Sequence, residues 1–160
     1  NEEFNIGRIK FTTLFVPGHT AGHIVFYSKT EKVIFTGDTL FSMGCGRVFE
    51  GTYNQMFNSL NRIKDLPEDT KIYCGHEYTR KNIEFCIKYN PNNDLLKKTK
   101  NTIEERLKNG EPSIPSTLLK EKQMNIFLRT DDLDVKNILN LKKASNLEVF
   151  TKLRDLKDNF

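Results

Sequence analysis

Three times within the first 77 residues an apolar, β-branched run ends in a glycine-marked turn that presents an imidazole or a carboxylate. Residues 9–16 (IKFTTLFV) lead into Pro17-Gly18-His19-Thr20-Ala21-Gly22-His23, residues 33–36 (VIFT) into Gly37-Asp38-Thr39, and residues 71–74 (KIYC) into Gly75-His76-Glu77. Runs of this composition form strands, and strands that end in tight turns deliver the turn residues to one edge of a sheet. His19, Asp38 and His76 can therefore converge there. Mixed imidazole and carboxylate donors suit a divalent metal ion. His23, four residues past His19 at the start of the next run (residues 24–27, IVFY), reads instead as a brace that hydrogen-bonds the loop.

The remaining composition narrows the function classes. With 37% apolar and 29% charged residues the chain has the balance of a globular domain. Its formal charge of +4 comes from scattered lysines, which points to a small anionic ligand and away from nucleic acid, whose binding needs a concentrated basic patch. Cys45, Cys74 and Cys86 form no C-x-x-C pair, so neither a disulfide framework nor a structural zinc site is expected, and a reducing compartment fits. No window approaches the roughly eighteen apolar residues of a membrane span, and no membrane partner is expected. The acidic start, Asn1-Glu2-Glu3, is unlike a targeting signal, and the absence of an initial Met makes the chain read as part of a longer one.

Beyond the first strands, residues 37–51 read as an irregular glycine-punctuated loop that approaches a ligand through its backbone. Thr52-x-x-Gln55 is a capping box, followed by Met56, Leu60 and Ile63 at helical spacing, and Leu66-Pro67 ends that helix. From Thr79 the pattern is helical, with Ile83, Cys86 and Ile87 on one face and a longer helix from Asp94 to about Lys108. Residues 110–117 (GEPSIPST) form a proline-fixed extended link. Ser145-x-x-Glu148 is a second capping box, and Val149, Phe150, Leu153 and Leu156 give the last helix a stripe to bury, with Arg154 and Lys157 neighbours on its surface. The shift from β-rich to helix-rich composition predicts two units, residues 1–77 and 78–160.

The three turns, with Phe35-Thr36-Gly37-Asp38-Thr39-Leu40-Phe41 and Tyr73-Cys74-Gly75-His76-Glu77-Tyr78 at the second and third, resemble the later metal motifs of the metallo-β-lactamase superfamily. Gly44-Cys45-Gly46-Arg47, Gly75-His76-Glu77-Tyr78 and the terminal Arg154-x-x-Lys157-Asp158-x-Phe160 are similar to the glyoxalase II (hydroxyacylglutathione hydrolase) family within it. The resemblance implies an α+β fold, the C-terminal part of an αββα sandwich followed by a helical substrate-binding domain. It implies two divalent metal ions, zinc foremost with iron or manganese compatible. His19 would ligate the first, Asp38 would bridge both, and His76 would ligate the second. A metal-bridged hydroxide would then hydrolyse S-(2-hydroxyacyl)glutathione thioesters, such as S-lactoylglutathione, to glutathione and a 2-hydroxy acid.

The implied substrate set is Arg47, Val48, Phe49, His76, Glu77, Tyr78, Arg154 and Lys157, with Arg154 and Lys157 anchoring the glycine carboxylate. Arg47 and Phe49 depart from the family's Lys and hydroxyl-bearing aromatic, which alters geometry and removes a donor. Asn125-Ile126-Phe127-Leu128-Arg129, where the family has Asn-Pro-Phe-x-Arg, reads as packing, and Cys45 reads as a small loop residue and not a nucleophile. The superfamily's Thr-His-x-His-x-Asp-His motif is absent from these residues, so the chain alone is expected to be inactive and to self-associate or to need an upstream segment. Two other readings stand beside this one: another enzyme of the fold, such as a persulfide dioxygenase or thioesterase, and a noncatalytic glutathione-binding module. A cytoplasmic location is the default.

Overall fold

The computed structural model describes residues 2–160; Asn1, the first residue of the expected 1–77 unit, lies outside them. The chain begins with an antiparallel meander, β1 (Glu3–Ile6), β2 (Ile9–Phe15), β3 (Ile24–Ser28) and β4 (Val33–Gly37). A small hairpin, β5 (Leu40–Phe41) and β6 (Gly44–Cys45), and helix α1 (Tyr53–Lys64) then cross over to β7 (Lys71–Cys74), which lies parallel to β4. Helices α2 (Thr79–Tyr89) and α3 (Asp94–Lys108) follow, and β8 (Ser116–Thr117) returns to pair with β7. Helices α4 (Leu118–Met124), α5 (Leu133–Ile138) and α6 (Asn146–Asp158) complete the chain, with a single 3-10 turn at Ile126–Leu128. The sheet order is β1-β2-β3-β4-β7-β8, so a strand from the helical stretch closes one edge.

Register fixes two unlike faces. Leu14 opposite Val25, Tyr27 opposite Ile34, and Ile34 opposite Ile72 form the buried face, which shares one core with Met56, Leu60 and Ile63 of α1. The same core continues through Phe85, Phe127 and Phe150, whose rings lie within about 6 Å of one another in sequence along the stack. On the other face Phe15 and Phe35 are about half exposed, and Phe4, Phe11, Phe26, Phe35 and Tyr73 touch ring to ring. This face is an exposed aromatic patch.

Local signals explain the helix starts. Both capping boxes form: Thr52 accepts from Gln55 N and Ser145 from Glu148 N, each answered by the N3 side chain. Residues 110–117 are extended as expected, ending in β8. The structure corrects the reading of residues 37–51 as wholly irregular, because β5 and β6 pair within them. Two-residue strands are too short to leave an alternating pattern, and their turn carries Met43 at φ 59°, a conformation that only context selects. Among the described residues no helix is long and apolar enough to cross a membrane.

Candidate functional site

The turns after β2, β4 and β7 do meet. His19 Nε2 lies 3.5 Å from Asp38 Oδ2, and His76 Nε2 lies 3.5 Å from Asp38 Oδ1, so each carboxylate oxygen faces its own imidazole. His19 Nδ1 is 2.9 Å from the Arg47 carbonyl. A carbonyl only accepts, so Nδ1 donates to it, which leaves Nε2 as the nitrogen turned towards Asp38. Two glycines permit this approach: a Cβ on Gly46 would fall 1.9 Å from the Asp38 carbonyl oxygen, and one on Gly75 would fall 2.5 Å from Asp38 Oδ1. His23 stands apart. Its ring is 5.5 Å from that of His19, its Nε2 is buried without a hydrogen-bond partner among the described residues, and burial, then the nearby His19, lowers its pKa.

This trio forms the floor of an open cavity of about 500 Å³. Tyr78 stacks on the His76 ring at 4.9 Å, Phe41 packs against Tyr78 at 5.3 Å, and Phe49 leans on His19 at 5.2 Å. Basic side chains line the far wall: Arg47, Lys81, Arg154 and Lys157. Desolvation by burial, then the positive charges of Arg154 and Lys81, lowers the Lys157 pKa to about 8. Its ammonium lies over the Phe85 and Phe160 rings, at 5.1 and 4.9 Å. A cation held that way gains from any anion that enters.

The expected substrate residues are not equivalent in this arrangement. Arg47, Phe49, His76, Tyr78, Arg154 and Lys157 line the cavity, whereas Val48 packs towards the core. Glu77 turns its carboxylate to Ser113, accepting from the Ser113 amide at 3.2 Å and from its hydroxyl, and so ties β7 to the extended link. Arg154 is buried: its Nη1 donates to the Cys45 carbonyl at 2.7 Å and to the Gly46 carbonyl at 3.4 Å, while Nη2 donates to Asp158 at 3.0 Å. It therefore braces the glycine loop. Cys45 is buried and its thiol pKa is pushed up by that burial, the state of a packing residue. Asn125 donates to the Gly44 carbonyl at 3.1 Å, which makes its segment a brace of the same loop.

Sequence reasoning left Lys81, Asn82 and Asp158 without roles, although all three line the cavity. Lys81 lies one turn beyond Tyr78, and that i, i+3 spacing is the signal that would have found it. Asp158 also pairs with Arg47, Nε to Oδ1 at 3.4 Å, drawing two guanidinium groups to one carboxylate.

Whether these donors suit a metal depends on the Asp38 geometry. No group of three or more His, Cys, Asp or Glu among the described residues is arranged to hold one ion by itself. One imidazole instead faces each carboxylate oxygen, so two imidazoles and one carboxylate are brought together. That donor set is compatible with divalent metals.

Comparison with known proteins places the chain in a family. The model described as "Hydroxyacylglutathione hydrolase C-terminus" matches residues 77–160, and that of the metallo-beta-lactamase superfamily matches residues 2–76. The hydroxyacylglutathione hydrolase of Pelagibacter ubique is 54% identical over 91% of this chain and 55% of its own length, and that of Nitrobacter winogradskyi is 44% identical over 96% and 60%. The chain thus spans under two thirds of the relatives it matches. Solved structures share the fold: ETHE1 from Myxococcus xanthus superposes with a TM-score of 0.58 at 24% identity, over 96% of this chain and 48% of that one. A metallo-beta-lactamase from Staphylococcus aureus gives 0.57 at 24%, over 98% and 41%. The superfamily is one of divalent-metal proteins, and the chain belongs to its hydroxyacylglutathione hydrolase family.

Proposed function

We propose that the protein containing this chain hydrolyses S-(2-hydroxyacyl)glutathione thioesters, S-lactoylglutathione among them, to glutathione and a 2-hydroxy acid. The observation that carries the reading is the joining of two chemistries in one cavity: the Asp38 carboxylate between two imidazoles on the floor, and Lys157 with Lys81 on the wall. The wall suits an anionic peptide-like ligand and the floor suits two divalent cations, zinc foremost. Relatives that carry the hydrolase name at 40–54% identity favour this reading over a persulfide dioxygenase, another thioesterase or a noncatalytic module.

The division of labour follows from the side chains. Lys157 and Lys81 draw a substrate carboxylate to the wall, and Arg154 holds the Cys45–Gly46 backbone against which the thioester lies. Tyr78 and Phe49 flank the two imidazoles and offer apolar surface to the acyl group at the floor's edges. Asp38, His19 and His76 would hold the metal ions, which when bound supply charge stabilisation and an activated water. The Arg47 carbonyl fixes the His19 tautomer for that purpose. The thiolate leaving group needs little acid assistance, so no general acid is required of this chain.

The organisation we infer is a catalytic unit to residue 77 and a substrate-binding helical unit from 78, supported by the meeting of the two family models at that point. We also read the aromatic sheet face as covered in the working protein, by a second copy or by an upstream segment, and place the protein in the cytoplasm. Free thiol release from S-lactoylglutathione by metal-loaded protein that includes the upstream residues tests the function. Absence of thiol release defeats it. Sedimentation of the 160-residue chain with and without Phe26→Lys tests the covered face, and a monomer in both cases removes self-association.

A further inference from the structure

The β5–β6 hairpin carries Phe41 at one end and Cys45-Gly46-Arg47 at the other, so its placement sets one side of the cavity. Its turn is held in an unusual way. Met43 adopts φ 59°, which an L side chain reaches only when its surroundings impose it. Almost every backbone group of the turn is paired to a side chain from far along the sequence. Asn82 donates to the Ser42 carbonyl at 3.1 Å, Cys86 Sγ donates to the Met43 carbonyl at 3.1 Å, and Asn125 donates to the Gly44 carbonyl at 3.1 Å. The Met43 amide donates to Glu121 Oε2 at 2.9 Å.

Glu121 is the centre of this set. It is completely buried on α4, its Oε2 also accepts from Asn125 Nδ2 at 2.9 Å, and its Oε1 accepts from Ser116 Oγ at 2.6 Å. No Lys, Arg or His pairs with it among the described residues. A buried, unpaired carboxylate is expensive to desolvate, and burial pushes its carboxyl pKa up to about 7. An apolar side chain would fill the volume more favourably, but it would supply no acceptors. The Met43 amide and its neighbour Asn125 require one of them, and Ser116 on β8 the other.

We propose that Glu121 is a positioning residue for the substrate cavity: through Met43 N and through Asn125 it fixes the hairpin turn that places Phe41 and Cys45–Arg47 on the cavity wall. The inference rests on the reading of that cavity as the substrate site. Two measurements keep the two ideas separable. On the 160-residue chain, Glu121→Ala raises amide hydrogen exchange at Met43 to Arg47 at least tenfold, while Val25 and Ile34 in the sheet stay within about twofold of the parent. In the longer protein the same substitution raises KM for S-lactoylglutathione about tenfold with kcat within about threefold, and Glu121→Gln, which keeps an oxygen for Met43 N and Asn125, restores both. If Glu121→Ala does not fold, Glu121→Asp, which keeps the charge and shortens the reach, is read by the same two measurements. Unchanged exchange in the hairpin, or a rise equal in hairpin and sheet, overturns the proposal, because a merely structural role loosens both alike. If the parent protein releases no thiol, the proposed function fails and the exchange comparison still decides the role of Glu121.

Discussion

The floor and the wall of the cavity are built on different principles. On the floor, His19, Asp38 and His76 project from turns whose backbones touch, with Gly46 and Gly75 leaving no room for a Cβ. On the wall, Lys81 and Lys157 reach in from α2 and α6 on long flexible stems. Backbone placement is unforgiving and long side chains are adjustable. The floor should therefore fail abruptly on the addition of one methyl group, whereas the wall should degrade by degrees.

Gly75→Ala tests the abrupt side. Its new Cβ would meet Asp38 Oδ1 at 2.5 Å, the end of a side chain that can swing away, so the fold should survive with a melting temperature within a few degrees of the parent. The carboxylate that swings is the one between the imidazoles, and a displacement of about 1 Å at such a site costs roughly 100-fold in kcat/KM. Gly46→Ala would meet the Asp38 backbone carbonyl instead, at 1.9 Å, and should lose both activity and stability. Thiol-release kinetics beside thermal melts separate the two. Full activity in Gly75→Ala would break the contrast between floor and wall.

Arg154 is the wall residue that should behave like the floor. Its guanidinium is buried against the Cys45 and Gly46 carbonyls and Asp158, and removing it leaves those acceptors unpaired in a dry environment. Arg154→Ala should cost about 3 kcal/mol in urea melts and lower kcat as well as raise KM. Lys157→Ala should not lower stability at neutral pH, where burial and the charges of Arg154 and Lys81 work against the lysine's charged form, and should raise KM for glutathione thioesters roughly tenfold with kcat retained, the loss of one charge-assisted contact. If the two substitutions give the same pattern, Arg154 is a ligand anchor and not a brace.

The same distinction explains what could be read from the sequence. Thr52-Gln55 and Ser145-Glu148 announced their helices because a capping box is complete within four residues. His19, Asp38 and His76 were legible because each is marked by an adjacent glycine and a preceding strand. The β5–β6 hairpin was not, since Asn82, Cys86, Glu121 and Asn125, which satisfy its backbone, lie 40 to 84 residues away in sequence. Arg154 looked like one of a pair with Lys157 because both are basic residues one helical turn apart. Only the packing shows that one is enclosed by carbonyls and the other faces the cavity.

The smallest expected effect is also the most specific to the wall. Burial, then Arg154 and Lys81, lowers the Lys157 pKa to about 8, so its ammonium loses its proton where an ordinary lysine keeps it. Because the folded pKa lies below the unfolded value, the unfolded chain binds more protons between about pH 8 and 10.5, and Lys157 adds stability as pH rises through that window. Ligand binding should run the other way, since a carboxylate needs the charged form. If charge at Lys157 is worth tenfold in KM, the fall in its charged fraction between pH 7 and pH 9 raises KM about fivefold. Lys157→Arg keeps the charge across this range and should flatten the profile, which separates the lysine from any titration of the substrate. A KM profile that rises equally in Lys157→Arg would assign the effect elsewhere and leave the wall's cation without a role in recognition.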